Sequence, residues 1–338
     1  MRPARPLPAA AVLALALPAA LCAQRVPLRP VATYSIVARD SATGQLGVAV
    51  QSHWFSVGTA VTWAEAGVGA VATQSFAEPA YGPLGLELMR LGRPAPEALR
   101  ALVSTDPDSA VRQVAMIDAA GRVAAYTGGR DIAAAGHHVG RGYSVQANLM
   151  EKPTVWPAMA RAFESAQGDL AERLLQALEA AQREGGDIRG RQSAAILVVG
   201  PENTGRPWAD RLFDLRVEDH PEPLRELRRL VTLARVYQNL NAGDAAVTRG
   251  DMAAAAAAYG RATSIAPDSA TNGEAVFWTG ISFAAAGRVD EALPWLRRAY
   301  AVHPKWAELV PRLPASGLLP NDPALIRRLV QGMSGGRD

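Results

Sequence analysis

The chain has 338 residues, 49% of them hydrophobic and 20% charged, with a formal charge of +3. That length buries a sizeable core and the composition is ordinary for a globular protein, so collagen-like, low-complexity and disordered classes are excluded. Lys152 and Lys305 are the two lysines, and the arginines are spread beside acidic residues rather than clustered, which gives nucleic-acid binding no support.

Residues 1–23 carry Arg2 and Arg5, an apolar run from Ala9 to Leu21, then Cys22-Ala23. This is the pattern of a secretory signal peptide, too short for a membrane span, and it predicts an exported protein, periplasmic or extracellular. No later stretch approaches about 20 uninterrupted apolar residues, so no membrane span is expected. Loss of the leader takes Arg2 and Arg5 with it, lowering the formal charge from +3 to +1. It also removes Cys22, the single cysteine, so any nucleophile must be oxygen or nitrogen.

Residues 24–32, with Pro27 and Pro30, read as an exposed lead-in. Thr33 to Arg39 and Gln45 to Ser52 are β-branched runs joined by Asp40-Ser41-Ala42-Thr43-Gly44, which predicts a hairpin. Thr59 to Glu65 and Gly69 to Phe76 predict a second strand pair around Ala66-Gly67. The period then turns helical, with Leu84, Leu88 and Leu91 on one stripe and a second short helix from Pro96 to Val103. Arg112 to Asp118, Arg122 to Tyr126 and Tyr143 to Leu149 are further strands. Pro153 to Ala166 and Leu170 to Glu184 are amphipathic helices, the second closing on Gly185-Gly186. Gln192 to Val199 and Leu212 to Val217 complete a domain over 33–220.

Strands in two groups, each followed by helices, predict an α/β fold with two sheets face to face and helices outside, a four-layer sandwich. No alternating β and α pattern supports a doubly wound sheet. Residues 221–338 are all helical. Gly243, Gly250, Ala255, Ala262 and Pro267 recur 37 residues later as Gly280, Gly287, Ala292, Ala299 and Pro304, the mark of a repeat array. The pattern resembles tetratricopeptide repeats of about 34 residues, each carrying an insertion. Helices over Leu224–Asn241 and Asn321–Val330 are expected to cap the stack. The tail's small residues serve helix packing in any case; its surface is either purely structural or a docking face for a peptide or protein partner.

The sequence carries no P-loop, no G-x-S-x-G elbow and no S-x-x-K motif. Five histidines, at 53, 137, 138, 220 and 303, have no metal-binding spacing, so no metal or cofactor is expected. The chemistry is sought instead in the first strand. Thr33-Tyr34-Ser35-Ile36-Val37-Ala38, a tight turn and Gly47-Val48-Ala49-Val50-Gln51-Ser52 resemble the opening hairpin of the N-terminal-nucleophile (Ntn) hydrolases. The resemblance implies that the threonine heading the strand is catalytic; by residue type alone Thr33 equally suits an ordinary β-branched strand position. A hydroxyl needs a base, and an α-amino group freed by cleavage between Ala32 and Thr33 would titrate at about 7.7–8.0.

Ser35 shares the strand face of Thr33 and either assists it or faces a polar interior. Asn148 and Gln74 either donate to an oxyanion or satisfy neighbouring backbone. His137, beside Gly136, reads as a loop residue at a site or as a surface histidine. Asp187, Arg189, Arg191, Gln192 and Ser193 are a polar cluster ahead of an apolar strand, either turn chemistry or an anchor for a carboxylate or amide substrate.

A narrower resemblance covers residues 33 to about 220. Tyr34 to Asp40, Trp63 to Gln74, Pro79 to Leu86, Thr127-Gly128, Ala135-Gly136-His137, Gln146 to Met150 and Gly185 to Ala195 look like DUF1028, a family of unknown function placed in the Ntn-hydrolase superfamily. An αββα sandwich is implied, and assembly into homo-oligomers is common in such domains. The expectation is an amide-bond hydrolase acting on a small amide or peptide. The alternative is a non-catalytic binding or adaptor protein docking its partner through the repeats.

Overall fold

In a computed structural model of the chain, residues 33–335 are described. The leader and lead-in expected over 1–23 and 24–32 lie outside the described residues. The domain opens with the hairpin of β1 (Thr33–Arg39) and β2 (Leu46–Ser52). Asp40 closes its turn, its side-chain oxygen accepting from the backbone N–H of Ala42 at 2.8 Å and Thr43 at 2.9 Å. Gly44 takes the left-handed φ of +75° that the turn requires. The strand expected from Thr59 is shorter than that. A helical turn, α1 (Gly58–Val61), precedes β3 (Thr62–Glu65), because Thr59 and Val61 bond back to the carbonyls of Ser56 and Val57.

There follow β4 (Gly69–Ser75), α2 (Tyr81–Arg90), α3 (Ala95–Thr105), β5 (Arg112–Asp118), β6 (Val123–Thr127), β7 (Gly136–Gly140) and β8 (Tyr143–Asn148). Then come α4 (Val155–Ser165), α5 (Leu170–Arg183), β9 (Ser193–Val199), α6 (Pro207–Asp210) and β10 (Arg211–Val217). One sheet has the order β10-β9-β2-β1-β8-β7 and the other β3-β4-β5-β6, all pairs antiparallel. Thr33 therefore heads a strand in the middle of the larger sheet.

Alternation along the strands assigns each residue to a core. Tyr34, Ile36, Ala49 and Val145 pack beneath Leu170, Leu174 and Leu178 of α5 and Met159 of α4. Val37, Val48, Val50 and Leu197 meet Ala70, Ala72, Ala115 and Ile117 of the other sheet. Val71, Val114 and Met116, on that sheet's outer face, pack under α2 and α3. Both faces of the central strands are thus covered, which is why β1, β2, β4, β5, β8 and β9 are buried almost throughout.

The C-terminal part comprises α7 (Pro223–Thr248), α8 (Met252–Ile265), α9 (Glu274–Ala285), α10 (Val289–Val302), α11 (Trp306–Leu309) and α12 (Pro323–Ser334). Helix α7 belongs to two cores: Leu224, Leu227 and Val231 pack with the larger sheet, whereas Val236, Leu240 and Ala246 pack with the tail. Arg228 pairs with Glu179 at 2.6 Å and Glu172 at 3.1 Å, and Arg235 with Asp169 at 2.7 Å, fixing α7 to α5. The 37-residue period marks matching close approaches. A Cβ on Gly243 would stand 2.3 Å from the Tyr259 ring, and one on Gly280 would stand 2.7 Å from Leu296. Among the described residues no helix is long and apolar enough to cross a membrane.

Candidate functional site

The space between the sheets changes character along β1. Around Val37 it is apolar; toward Thr33 it fills with hydroxyls and amides, all from strand positions that face the opposite sheet. Ser35 donates to Gln74 Oε1 at 2.5 Å and accepts from Gln146 Nε2 at 2.6 Å, and Gln146 Oε1 accepts from Ser144 at 3.0 Å. Gln74 Nε2 donates to Gln113 Oε1 at 2.6 Å and to the carbonyl of Thr33 at 3.2 Å. Gln113 Oε1 also accepts from Asn148 Nδ2 at 3.0 Å, and Gln113 Nε2 reaches Thr127 Oγ1 at 3.0 Å. Thr127 in turn lies 2.7 Å from His137 Nδ1. Because the Thr127 hydroxyl already accepts from Gln113, its own hydrogen is free for that nitrogen, which suits a neutral His137. Burial, and then the neighbouring His138, hold the His137 pKa below the usual histidine value.

Thr33, Ser35, Gln74, Gln113, Gln146 and Asn148 are all fully or almost fully buried. Burying this many polar groups is costly unless each is bonded, so the cluster is a departure from what stability alone would select.

The head of β1 is closed on two sides. Thr33 pairs with Ser52 of β2 and Asn148 of β8. Beyond them, the N–H of His53 donates to Asp187 Oδ2 at 3.1 Å, Asp187 bridges Met150, and the N–H of Ile188 donates to the Leu149 carbonyl at 3.2 Å. The segment Asp187–Arg189 therefore crosses just ahead of Thr33. The buried Asp187 carboxylate holds the Arg189 guanidinium in a two-point grip, at 3.1 Å from Nε and 2.8 Å from Nη2.

The other side is the loop after β6. Ser75 and the N–H of Gly128 donate to Asp131 at 2.7 and 3.0 Å, and the carbonyl of Ile132 accepts from Leu149, the residue after Asn148. Burial pushes the Asp131 carboxyl up to about 6, with the bonds from Ser75 and Gly128 pulling it back.

Of the residues singled out by sequence, Thr33, Ser35, Gln74 and Asn148 meet in one cluster, with Asp187 and Arg189 at its head. His137 sits on strand β7 rather than in a loop and joins the cluster through Thr127. Gln192 and Ser193 are occupied elsewhere. Gln192 donates to Asp219 at 3.2 Å, while Ser193 accepts from the N–H of Val57 at 3.1 Å and donates to the Trp54 carbonyl. Sequence reasoning missed Gln113, Gln146, Thr127, Ser75 and Asp131. Three glutamines, each one or two positions from the end of a buried strand, were the available signal. Among the described residues no group of three or more histidine, cysteine or acidic side chains is arranged to hold a metal ion.

The model of a family of unknown function, DUF1028, matches residues 33–227. Among solved structures, the crystal structure of protein SPO2555 from Silicibacter pomeroyi, described with the same family, is similar at 29% identity and a TM-score of 0.53, covering 62% of this chain and 89% of that one. No curated protein matches the chain.

Proposed function

The chain belongs to the DUF1028 family, whose function is unknown, and we propose that it is an exported amide-bond hydrolase of the N-terminal-nucleophile kind, with Thr33 as nucleophile and its own freed α-amino group as base. The observation that carries this reading is the buried polar cluster at the head of β1. It lies between two sheets covered by helices on their outer faces, the four-layer arrangement expected of that superfamily, with Thr33 at the head of its central strand.

In this reading a cut between Ala32 and Thr33 frees the amine and opens Thr33, fully buried in the chain as described, to substrate. The amine takes the hydroxyl proton as Oγ1 attacks the amide carbon. The ammonium then gives that proton to the departing nitrogen, leaving an ester on Thr33 that water hydrolyses by the same exchange in reverse. Arg189, held by Asp187, is read as the group that receives a carboxylate on a small amide or peptide substrate. The tail is read as a tetratricopeptide-like array, whose repeated glycine contacts build a surface for a protein partner.

Mass spectrometry of the protein purified from a secreting host, together with turnover of an amide library, tests the proposal. A mature chain starting at Thr33, active as wild type and inactive as Thr33→Ala, is expected. A chain starting elsewhere with Thr33 still in peptide linkage overturns the mechanism.

A further inference from the structure

Sequence left Asn148 either donating to an oxyanion or satisfying neighbouring backbone; in the network its Nδ2 is spent on the Gln113 side chain. Three acceptors surround Gln74 Nε2: the carbonyls of Thr33 at 3.2 Å and Gln146 at 3.4 Å, and Gln113 Oε1 at 2.6 Å. Turning the Gln74 amide over would set its oxygen against all three. Gln113 Nε2 likewise faces the carbonyls of Ala147 at 2.9 Å and Gly136 at 3.3 Å. Gln113 must therefore offer Oε1 to its other neighbours, and Asn148, 3.0 Å away, must meet it with Nδ2.

Asn148 Oδ1 is what remains. It is buried, on a residue 1% exposed, and has no hydrogen-bond partner among the described residues. The two orphaned atoms of Gln51 belong to a residue opposite Tyr34, whose side chain packs in the helix-covered core, so they are not part of this gap. An unmet buried acceptor is costly, and such atoms in native proteins call for a partner. Asn148 and Thr33 are directly opposed across β1 and β8, which puts their Cβ atoms about 4.5–5.5 Å apart. A group attacked by the Thr33 hydroxyl thus lies within reach of Asn148 Oδ1.

We infer that Asn148 Oδ1 accepts a hydrogen bond from the N–H of the scissile amide, so that the site takes primary and secondary amides and discriminates against esters and N-alkylated amides. This rests on the hydrolase reading above and adds the substrate class to it. The N–H stays on the leaving nitrogen throughout, and the proton completing the free amine comes from the Thr33 ammonium. An ester or an N-methyl amide would leave the oxygen unpaired in the closed site, so each carries the cost of one unmet buried acceptor.

The test compares an anilide, its N-methylanilide and the phenyl ester of one acyl group on the purified protein, each rate referred to its uncatalysed hydrolysis. N-methylation is expected to lower kcat/KM roughly ten- to hundredfold, and the ester to lose as much relative to its solution reactivity. Asn148→Ala removes both the bond to the anilide N–H and the unpaired oxygen that penalises the N-methylanilide, so the ratio of the two rates should collapse toward that of the uncatalysed reactions. Equal turnover of the first two substrates overturns the inference and assigns the oxygen to water or to the Thr33 amine. An equal fall of both in the variant overturns it in favour of a donor role. Should the variant fail to fold, the substrate series on the unaltered protein decides. Should nothing be hydrolysed, the hydrolase reading falls, and binding decides the rest. In 1H–15N spectra the Asn148 side-chain signals shift with N-methylacetamide and not with N,N-dimethylacetamide if the acceptor role holds, and respond alike to both if it does not.

Discussion

Replacing Gln113 by leucine removes the member of the polar cluster on which the others converge. Gln113 Oε1 takes hydrogen bonds from Gln74 and Asn148, and its Nε2 serves Thr127 and the carbonyl of Ala147. Leucine fills similar volume, so the cavity contribution is small and the cost lies in orphaned partners. Gln74 keeps the carbonyl of Thr33, and Thr127 keeps His137. Asn148 Nδ2 and the second bond to the Ala147 carbonyl are lost outright. One orphaned donor at about 1–3 kcal/mol and one lost hydrogen bond at about 0.5–1.5 kcal/mol, less a gain from burying apolar surface, give a loss of about 2 kcal/mol. Urea unfolding followed by circular dichroism should show the midpoint falling with an unchanged slope. Gln113→Leu should also free Asn148 to rotate and so abolish selectivity for N–H substrates. A loss below about 0.5 kcal/mol, within the range of an ordinary surface substitution, would refute the view that the cluster is held together through Gln113.

Two further outcomes follow from the geometry. Gly243→Ala puts a methyl 2.3 Å from the Tyr259 ring, which packs in the tail core and has no room to retreat, and should cost about 1–3 kcal/mol. Gly280→Ala meets the flexible Leu296 at 2.7 Å and should cost less, offset by about 1 kcal/mol of helix propensity; thermal melts at 222 nm rank the two. Asp131 holds its proton in the native state up to about 6 against an ordinary 3.8. Its ionisation therefore costs stability as pH rises from about 4 to about 6, and the cost stays constant above that. A shift of this size would amount to about 3 kcal/mol for an enclosed group, discounted to about 1 kcal/mol because the carboxyl is partly open to solvent. Asp131→Asn should remove that slope and be the more stable protein at pH 7.5 but not at pH 4; parallel pH profiles of the urea midpoint in the two proteins would contradict it.

Period and turn chemistry placed most strands and helices, because each of those signals is local. The β1–β2 hairpin was readable from Asp40 and Gly44, and the tail repeat from glycines whose role is to let one helix touch the next. Strand β7 escaped because five residues with a glycine at each end, lying at a sheet edge, carry no alternation. The site was legible only in part for a related reason. Gln74, Gln113 and Gln146 lie far apart in sequence, and which of them meet depends on how one sheet is set over the other. A strand such as β5, buried on both faces, gives no sign in its sequence of which side of the sheet Gln113 meets. The orientation of Asn148 was beyond sequence altogether, since it follows from backbone carbonyls contributed by three separate strands and not from any residue type.

Helix α7 is a continuous rod of 26 residues, about 39 Å long, anchored at one end beneath the larger sheet and at the other inside the tail. A pull or twist delivered to the tail is transmitted along this rod to Leu224 and Leu227, and through them to the layer beneath β9 and β10. The tail is thereby joined to the sheet that carries Thr33 by a stiff link, where a flexible tether would have left the two halves mechanically independent.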